Sequence, residues 1–143
     1  MQNQYTTQID GEFTGYHEDA IFRLTNGQVW QQSKYKYNYY YAYRPRVCIN
    51  EINGQHLMSV EGMSQSVEVK LISLITEGRI ISDFKGYNSG ERFKFQNGRI
   101  WIQIESKHKY HYAHMPNAVV VNGLNGTQLY VDGMEDSVRV RKE

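Results

Sequence analysis

The chain has 143 residues, a formal net charge of +1 and twelve tyrosines, with 22% of its residues charged. Such a balance excludes a histone-like polycation or an acidic tail and matches a soluble globular protein. No apolar run approaches the roughly 18 residues a membrane helix requires, which excludes a helical span.

Residues 1–8 are polar and lack the basic and apolar regions of a signal peptide. They are expected to be an unpacked lead-in to a cytoplasmic protein. Residues 9–16 alternate weakly and predict a first strand, ended by the turn-forming His17-Glu18-Asp19. Residues 20–25 predict a strand with Phe22 and Leu24 on one face. Asn26-Gly27 then predicts a type I′ hairpin, in which both central residues need a positive φ, leading into a third strand over 28–33 that carries Trp30.

Residues 34–46 read KYKYNYYYAYRPR. Tyr35, Tyr37, Tyr39, Tyr41 and Tyr43 share one parity, so an extended chain places them on one face. Pro45 lacks a donor and is expected to start or edge the next strand, over 46–52. Cys48, the single cysteine, falls in that strand and reads as a core thiol. Asn53-Gly54 predicts a second hairpin into residues 56–61, and a last strand follows over 66–71. The apolar stretch 71–76 is expected to continue that strand through a tight turn at Glu77-Gly78, with a short helix over 70–76 as the alternative.

The chain then repeats itself. A shift of 71 positions carries Phe22-x-Leu24-x-Asn26-Gly27-x-Val29-Trp30 onto Phe93-x-Phe95-x-Asn97-Gly98-x-Ile100-Trp101. The same shift takes Phe13, Gly15, Tyr16, Gln32 and Lys36 onto Phe84, Gly86, Tyr87, Gln103 and Lys107. It continues through Tyr39, Tyr41 and Pro45 to Val60, Gly62, Met63, Val67 and Val69 without a gap; only the later Asn125-Gly126 slips by one residue. The expectation is therefore an all-β chain made by tandem duplication of a small antiparallel β unit, pseudo-twofold, with repeats over 9–72 and 80–143 and five or six short strands in each. Units this small manage their exposed edges by curling, which suggests an SH3-like or similar partly open barrel. Trp30 and Trp101 read as core residues, and Asn26, Gly27, Asn97 and Gly98 as structural turns.

The string G-x-F-x-G-Y, then F-x-L-x-N-G-Q-x-W-Q-Q, then Y-x-Y-x-x-x-P-x-V resembles a small bacterial β module of the SH3-like barrel kind, sometimes found in tandem. The match covers most of the first repeat and loosens in the second, where Arg99 and Ile102 replace Gln28 and Gln31. The resemblance implies a fold and brings no assigned activity or catalytic residue.

Catalytic signals are few. There is no G-x-S-x-G elbow, H-E-x-x-H or Gly-rich phosphate loop. The acidic pairs Glu18-Asp19 and Glu135-Asp136 fall in predicted turns. His108, His111 and His114 do not share one strand face, so neither a metal nor another cofactor is expected. What does reach toward function is a pair of basic, aromatic ribbons, Lys34, Tyr35, Lys36, Tyr37, Tyr43, Arg44 and Arg46 in the first repeat and Lys107, His108, Lys109 and His114 in the second. The simplest reading makes the tyrosines the inward face of a curled strand. Exposed, they would serve a protein partner or self-association, or, with their cations, single-stranded nucleic acid. The function expected is a non-enzymatic binding or assembly module. The alternatives are a nucleic-acid-binding protein and a small hydrolase with a dispersed site. Ile102 and Ile104, where the first repeat has Gln31 and Ser33, are candidate interface residues of a homo-oligomer or between repeats. Their face is expected to be covered in the second repeat and wet in the first.

Overall fold

The computed structural model describes residues 3–134 and 136–143. Met1 and Gln2 of the expected lead-in, and Glu135 of an expected turn, lie outside the described residues. The described chain is all-β, antiparallel throughout, and divides into two compact units, one ending at Ile72 and the other beginning at Ser73.

The first unit contains β1 (Asn3–Gln8), β2 (Glu12–Tyr16), β3 (Ile21–Arg23), β4 (Val29–Gln32), β5 (Asn38–Tyr43), β6 (Arg46–Ile52), β7 (Gln55–Val60) and the start of β8 (Ser66–Arg79). Its main sheet runs β1-β6-β7-β8-β4-β3, and β2 pairs with β5 as a separate ribbon. The second unit contains the rest of β8 and then β9 (Asp83–Tyr87), β10 (Arg92–Lys94), β11 (Ile100–Gln103), β12 (Lys109–His114), β13 (Asn117–Gly123), β14 (Gly126–Val131) and β15 (Val138–Lys142). There the order is β8-β13-β14-β15-β11-β10, with β9 and β12 as the ribbon. From β9 to β14, each strand begins and ends 71 positions after its counterpart among β2 to β7.

The sheets are not closed into a barrel: in the first unit a bridge, Ile9 to Leu24, links the end of β1 toward β3, and Ile80 to Phe95 does the same in the second. Three expectations are corrected. Residues 3–8 are not an unpacked lead-in, because β1 pairs along its length with β6 and supplies ladder bonds that its polar side chains do not advertise. Residues 70–79 form neither a turn nor a helix; β8 continues to Arg79, its residues up to Ile72 paired with β7 and β4 and those from Ser73 with β13. A backbone hydrogen-bonded in this way has no reason to turn. Finally, Cys48 is only half-buried, since it opposes Thr6 and Ser59 on the face away from Val47 and Ile49.

Each core follows from strand alternation. In the first unit Phe13, Tyr16, Phe22, Leu24, Trp30, Val47, Ile49, Met58, Val67 and Val69 are buried together, and in the second Phe84, Tyr87, Phe93, Phe95, Trp101, Val120, Leu129, Val138 and Val140. The phenylalanine pairs repeat closely, with ring centroids 6.0 Å apart for Phe13 and Phe22 and 6.1 Å for Phe84 and Phe93.

Asn26-Gly27 is not the expected type I′ turn. Gly27 has φ of 90° but Asn26 is not left-handed; Gly27 N–H donates to the Leu24 carbonyl at 3.0 Å and Leu24 N–H to that of Gln28 at 2.9 Å. This is a turn centred on Thr25 and Asn26, followed by a left-handed glycine in a bulge, the usual three-residue hairpin. Asn26 Oδ1 accepts from Gln28 N–H at 3.0 Å, and a local side-chain bond of this kind favours that form. Asn97-Gly98 repeats it, with Arg99 N–H donating to Asn97 Oδ1 at 2.9 Å. The left-handed pair expected there occurs instead at Asn53-Gly54, with φ of 53° and 80°.

Tyr16 is fully buried and its hydroxyl donates to the Gln65 carbonyl at 2.7 Å, while burial pushes its pKa up to about 12 from 10.0. The fold thus binds the neutral phenol, because burial penalises the phenolate. Its contribution should be complete below pH 10.0 and lost as pH rises toward about 12. Denaturant midpoints across this window should fall in the parent more steeply than in Tyr16→Phe, which has no proton to lose.

Candidate functional site: the tyrosine ribbons

The alternate tyrosines that the simplest reading turned inward are surface, including Tyr35 and Tyr43, which Ser106 and His114 replace in the second repeat and which were therefore the better surface candidates. Tyr35, Tyr37, Tyr39, Tyr41 and Tyr43 are all more than half exposed, from 51% at Tyr41 to 75% at Tyr35. The reason lies in the pairing of β5 with β2, where Phe13 and Tyr16 already fill the inner face. Only Tyr40, of the opposite parity, packs against the core, and its hydroxyl abuts Gly62, a position where any Cβ would collide with it. In the second unit Tyr110 and Tyr112 are exposed likewise, as are His108 and His114, while His111 takes the half-buried place of Tyr40.

A bulge shapes each ribbon. Between Phe13 and Gly15 the partner strand advances from Ala42 to Tyr39, one residue more than β2, and β9 and β12 repeat the shift between Tyr110 and Ala113. An extra residue increases local twist. Gly15 and Gly86, each with φ of 105°, let the backbones of Asn38 and Lys109 approach where a side chain would block them.

The loops leading into β5 and β12 are held by two buried glutamines that the sequence reading noted only as repeated positions. Gln32 Nε2 donates to the carbonyls of Lys34 and Lys36, both at 2.9 Å, and its Oε1 accepts from His17 N–H at 3.1 Å. Gln103 does the same to Glu105 and Lys107 at 2.8 Å and accepts from Asn88 N–H at 2.8 Å. A polar residue kept at matching positions in two β repeats, inside a strand that also carries the core tryptophan, was the available signal.

Most of the expected cations are engaged within the fold. Lys36 donates to the Ser66 carbonyl at 2.5 Å, and Lys107 to that of Ser137 at 2.6 Å. Lys34 lies 3.6 Å from Glu68, and Lys107 and Lys109 lie 3.5 Å and 3.3 Å from Asp136. Arg44 and Arg46 are exposed. Acidic groups also share the ribbon faces. Tyr41 hydroxyl donates to Glu12 at 3.3 Å, and partial burial and the Glu12 charge push the phenol's pKa up. His114 Nδ1 lies 2.8 Å from Asp83, and that hydrogen bond holds the carboxyl below its usual range; the Asp83 charge in turn raises Tyr112. Among the described residues no three His, Cys, Asp or Glu side chains gather as a metal site.

The expected difference between the two tryptophan-bearing strands is reversed. In the first unit Val29 and Gln31, opposite Trp30 in parity, are buried, Gln31 to 1% exposure. In the second unit Ile102 is half-buried and Ile104 is exposed. Ile102 is paired on both sides, with Arg92 of β10 and Arg141 of β15, whose long side chains can shield an outward residue; Ile104 is past the end of β11, beyond the β10 pairing, and is bonded only on the β15 side, its N–H donating to the Arg139 carbonyl at 3.0 Å. Residue type does not set burial on an outward face; the neighbours do.

Fold and ribbons define an all-β protein with paired aromatic surfaces, and among the described residues no helix is long and apolar enough to cross a membrane. No family model matches the chain, and comparison with curated proteins and with solved structures gives no match either.

Proposed function

We propose that the protein is a non-enzymatic binding or assembly module, built from two copies of one β unit, that works in the cytoplasm and meets a protein partner or a second copy of itself through the tyrosine face of β5. One observation carries the reading. Tyr39 and Tyr41 recur as Tyr110 and Tyr112, yet all four are more than half exposed, so burial in a core does not account for their recurrence. Tyrosine offers rigid, amphipathic area with few rotatable bonds, which suits contact surfaces. Ile104 and the half-buried Ile102 add an apolar patch on the second unit for the same purpose.

Nucleic acid fits this surface less well. Tyrosine rings can stack on bases, but a polyanion needs free cations along its path, and the ribbon lysines are paired or bonded to carbonyls while Glu12 and Asp83 share the faces. A hydrolase would have to begin from a His–carboxylate pair such as the exposed His114–Asp83, at 2.8 Å, or His56–Glu51, at 3.1 Å, and among the described residues neither has a nucleophilic hydroxyl or thiol assigned to it.

Sedimentation velocity across a concentration series compares the parent with Tyr35→Ser/Tyr39→Ser/Tyr43→Ser. The parent should form a larger species that the triple variant loses, with an unchanged melting temperature, because side chains this exposed add little to stability. Identical sedimentation of the two proteins would remove self-association from the reading. Anisotropy of a labelled oligothymidine, tight at about 50 mM salt and lost by about 200 mM, would replace it with the nucleic-acid alternative.

A further inference from the structure

We propose that the second unit carries a carboxylate-binding corner at Trp101 and Arg99. The first unit shows what this place requires. There Gln28 Oε1 collects three donors: Tyr5 hydroxyl at 2.6 Å, Trp30 Nε1 at 3.1 Å and Asn26 Nδ2 at 3.1 Å. At the matching positions of the second unit stand Thr76, Trp101 and Asn97, with Arg99 in place of Gln28.

The exchange removes the acceptor and keeps the donors. Trp101 is 4% exposed, and its buried Nε1 has no acceptor among the described residues. Asn97 Nδ2 turns to Thr76 Oγ1 at 3.3 Å, a hydroxyl that itself has a proton to donate. Arginine accepts nothing and adds a fork of donors with positive charge. The turn is otherwise alike, since the backbone N–H of residue 28 or 99 binds the preceding asparagine in both units, so the arginine side chain leaves the backbone where the glutamine does.

An sp² oxygen is thus needed where Gln28 Oε1 sits in the first unit, and a negative charge is needed beside it. A carboxylate supplies both, one oxygen accepting from Trp101 Nε1–H and the other from the Arg99 guanidinium. Two sources share this chemistry, a small organic acid and the free C-terminus of a peptide.

The chain's two indole N–H groups, of Trp30 and Trp101, give two resolvable resonances in a 15N-labelled protein. Titrated with sodium acetate against sodium chloride at equal ionic strength, the Trp101 resonance should shift saturably and the Trp30 resonance should stay. Arg99→Gln should place the Trp101 resonance near that of Trp30 before any acetate is added and abolish the titration. Arg99→Ala should weaken it about tenfold or more without that displacement. A short peptide with a free C-terminus that binds more tightly than acetate, while its C-terminal amide does not bind, identifies a chain end; equal binding of peptide and acetate identifies a small acid. No saturable shift of Trp101, an equal shift in chloride, an equal response to phosphate, or an undiminished titration in Arg99→Gln overturns the proposal.

Discussion

Replacing Trp30 or Trp101 by alanine should cost about 3–5 kcal/mol, enough to unfold the affected unit of a domain with ordinary marginal stability. Both rings are almost wholly buried, at 3% and 4% exposure, and each belongs to the main core cluster of its unit. The cavity left by an indole is too large for strands pinned by ladders on both sides to close. The two losses should also differ. Trp30→Ala takes a donor from Gln28, whereas Trp101→Ala removes a buried N–H that has no acceptor among the described residues, which should make the second substitution milder by about 1 kcal/mol. Denaturant midpoints followed by near-ultraviolet circular dichroism measure both effects. Unchanged midpoints would mean that neither ring is a core residue.

Gly15→Ala should be nearly as damaging, at about 3 kcal/mol or more, although it adds a single methyl group. A Cβ at residue 15 would overlap the Asn38 carbonyl oxygen and press on the backbone nitrogen of Tyr40, and φ is 105°. Backbone atoms of a paired strand cannot step aside as a side-chain tip can. Gly27→Ala is the control: its φ is 90°, but a Cβ there meets nothing within 4 Å, so only the left-handed backbone penalty of about 1–2 kcal/mol applies. If the two variants melt alike, the close approach of β2 and β5 is not as described. The ribbon is also what presents Tyr39, Tyr41 and Tyr43, so Gly15→Ala should disturb the proposed contact surface along with stability.

The strand periodicity, the 71-residue repeat and the core aromatics were legible because they depend on local pattern. Phe13, Phe84 and Phe93 lie between polar neighbours, so alternation assigns them a face, while Trp30 and Trp101, with Val29, Ile100 and Ile102 beside them, were marked instead by their place after the repeated Asn-Gly turn. Recurrence between the repeats was a less reliable guide to burial. Tyr39 and Tyr41 recur and are exposed, while Gln32 and Gln103 recur because their amides hold a loop from inside. Identity at matching positions says that something is shared, but a hydrogen-bonding need and a packing need look the same in one sequence.

The sequence by itself determined the all-β class, the inward places of the core phenylalanines and tryptophans and the hairpins at Asn26-Gly27, Asn53-Gly54 and Asn97-Gly98, since these follow from residue period and backbone sterics. Only the tertiary structure decided which ribbon face meets solvent, that polar residues 3–8 add a strand, that Lys36 and Lys107 spend their charge on carbonyls 30 residues away, and that Trp101 has lost the acceptor Trp30 keeps. Alternation fixes that two faces differ and leaves open what lies against each, because burial and hydrogen-bond satisfaction are properties of neighbours brought together by long-range pairing.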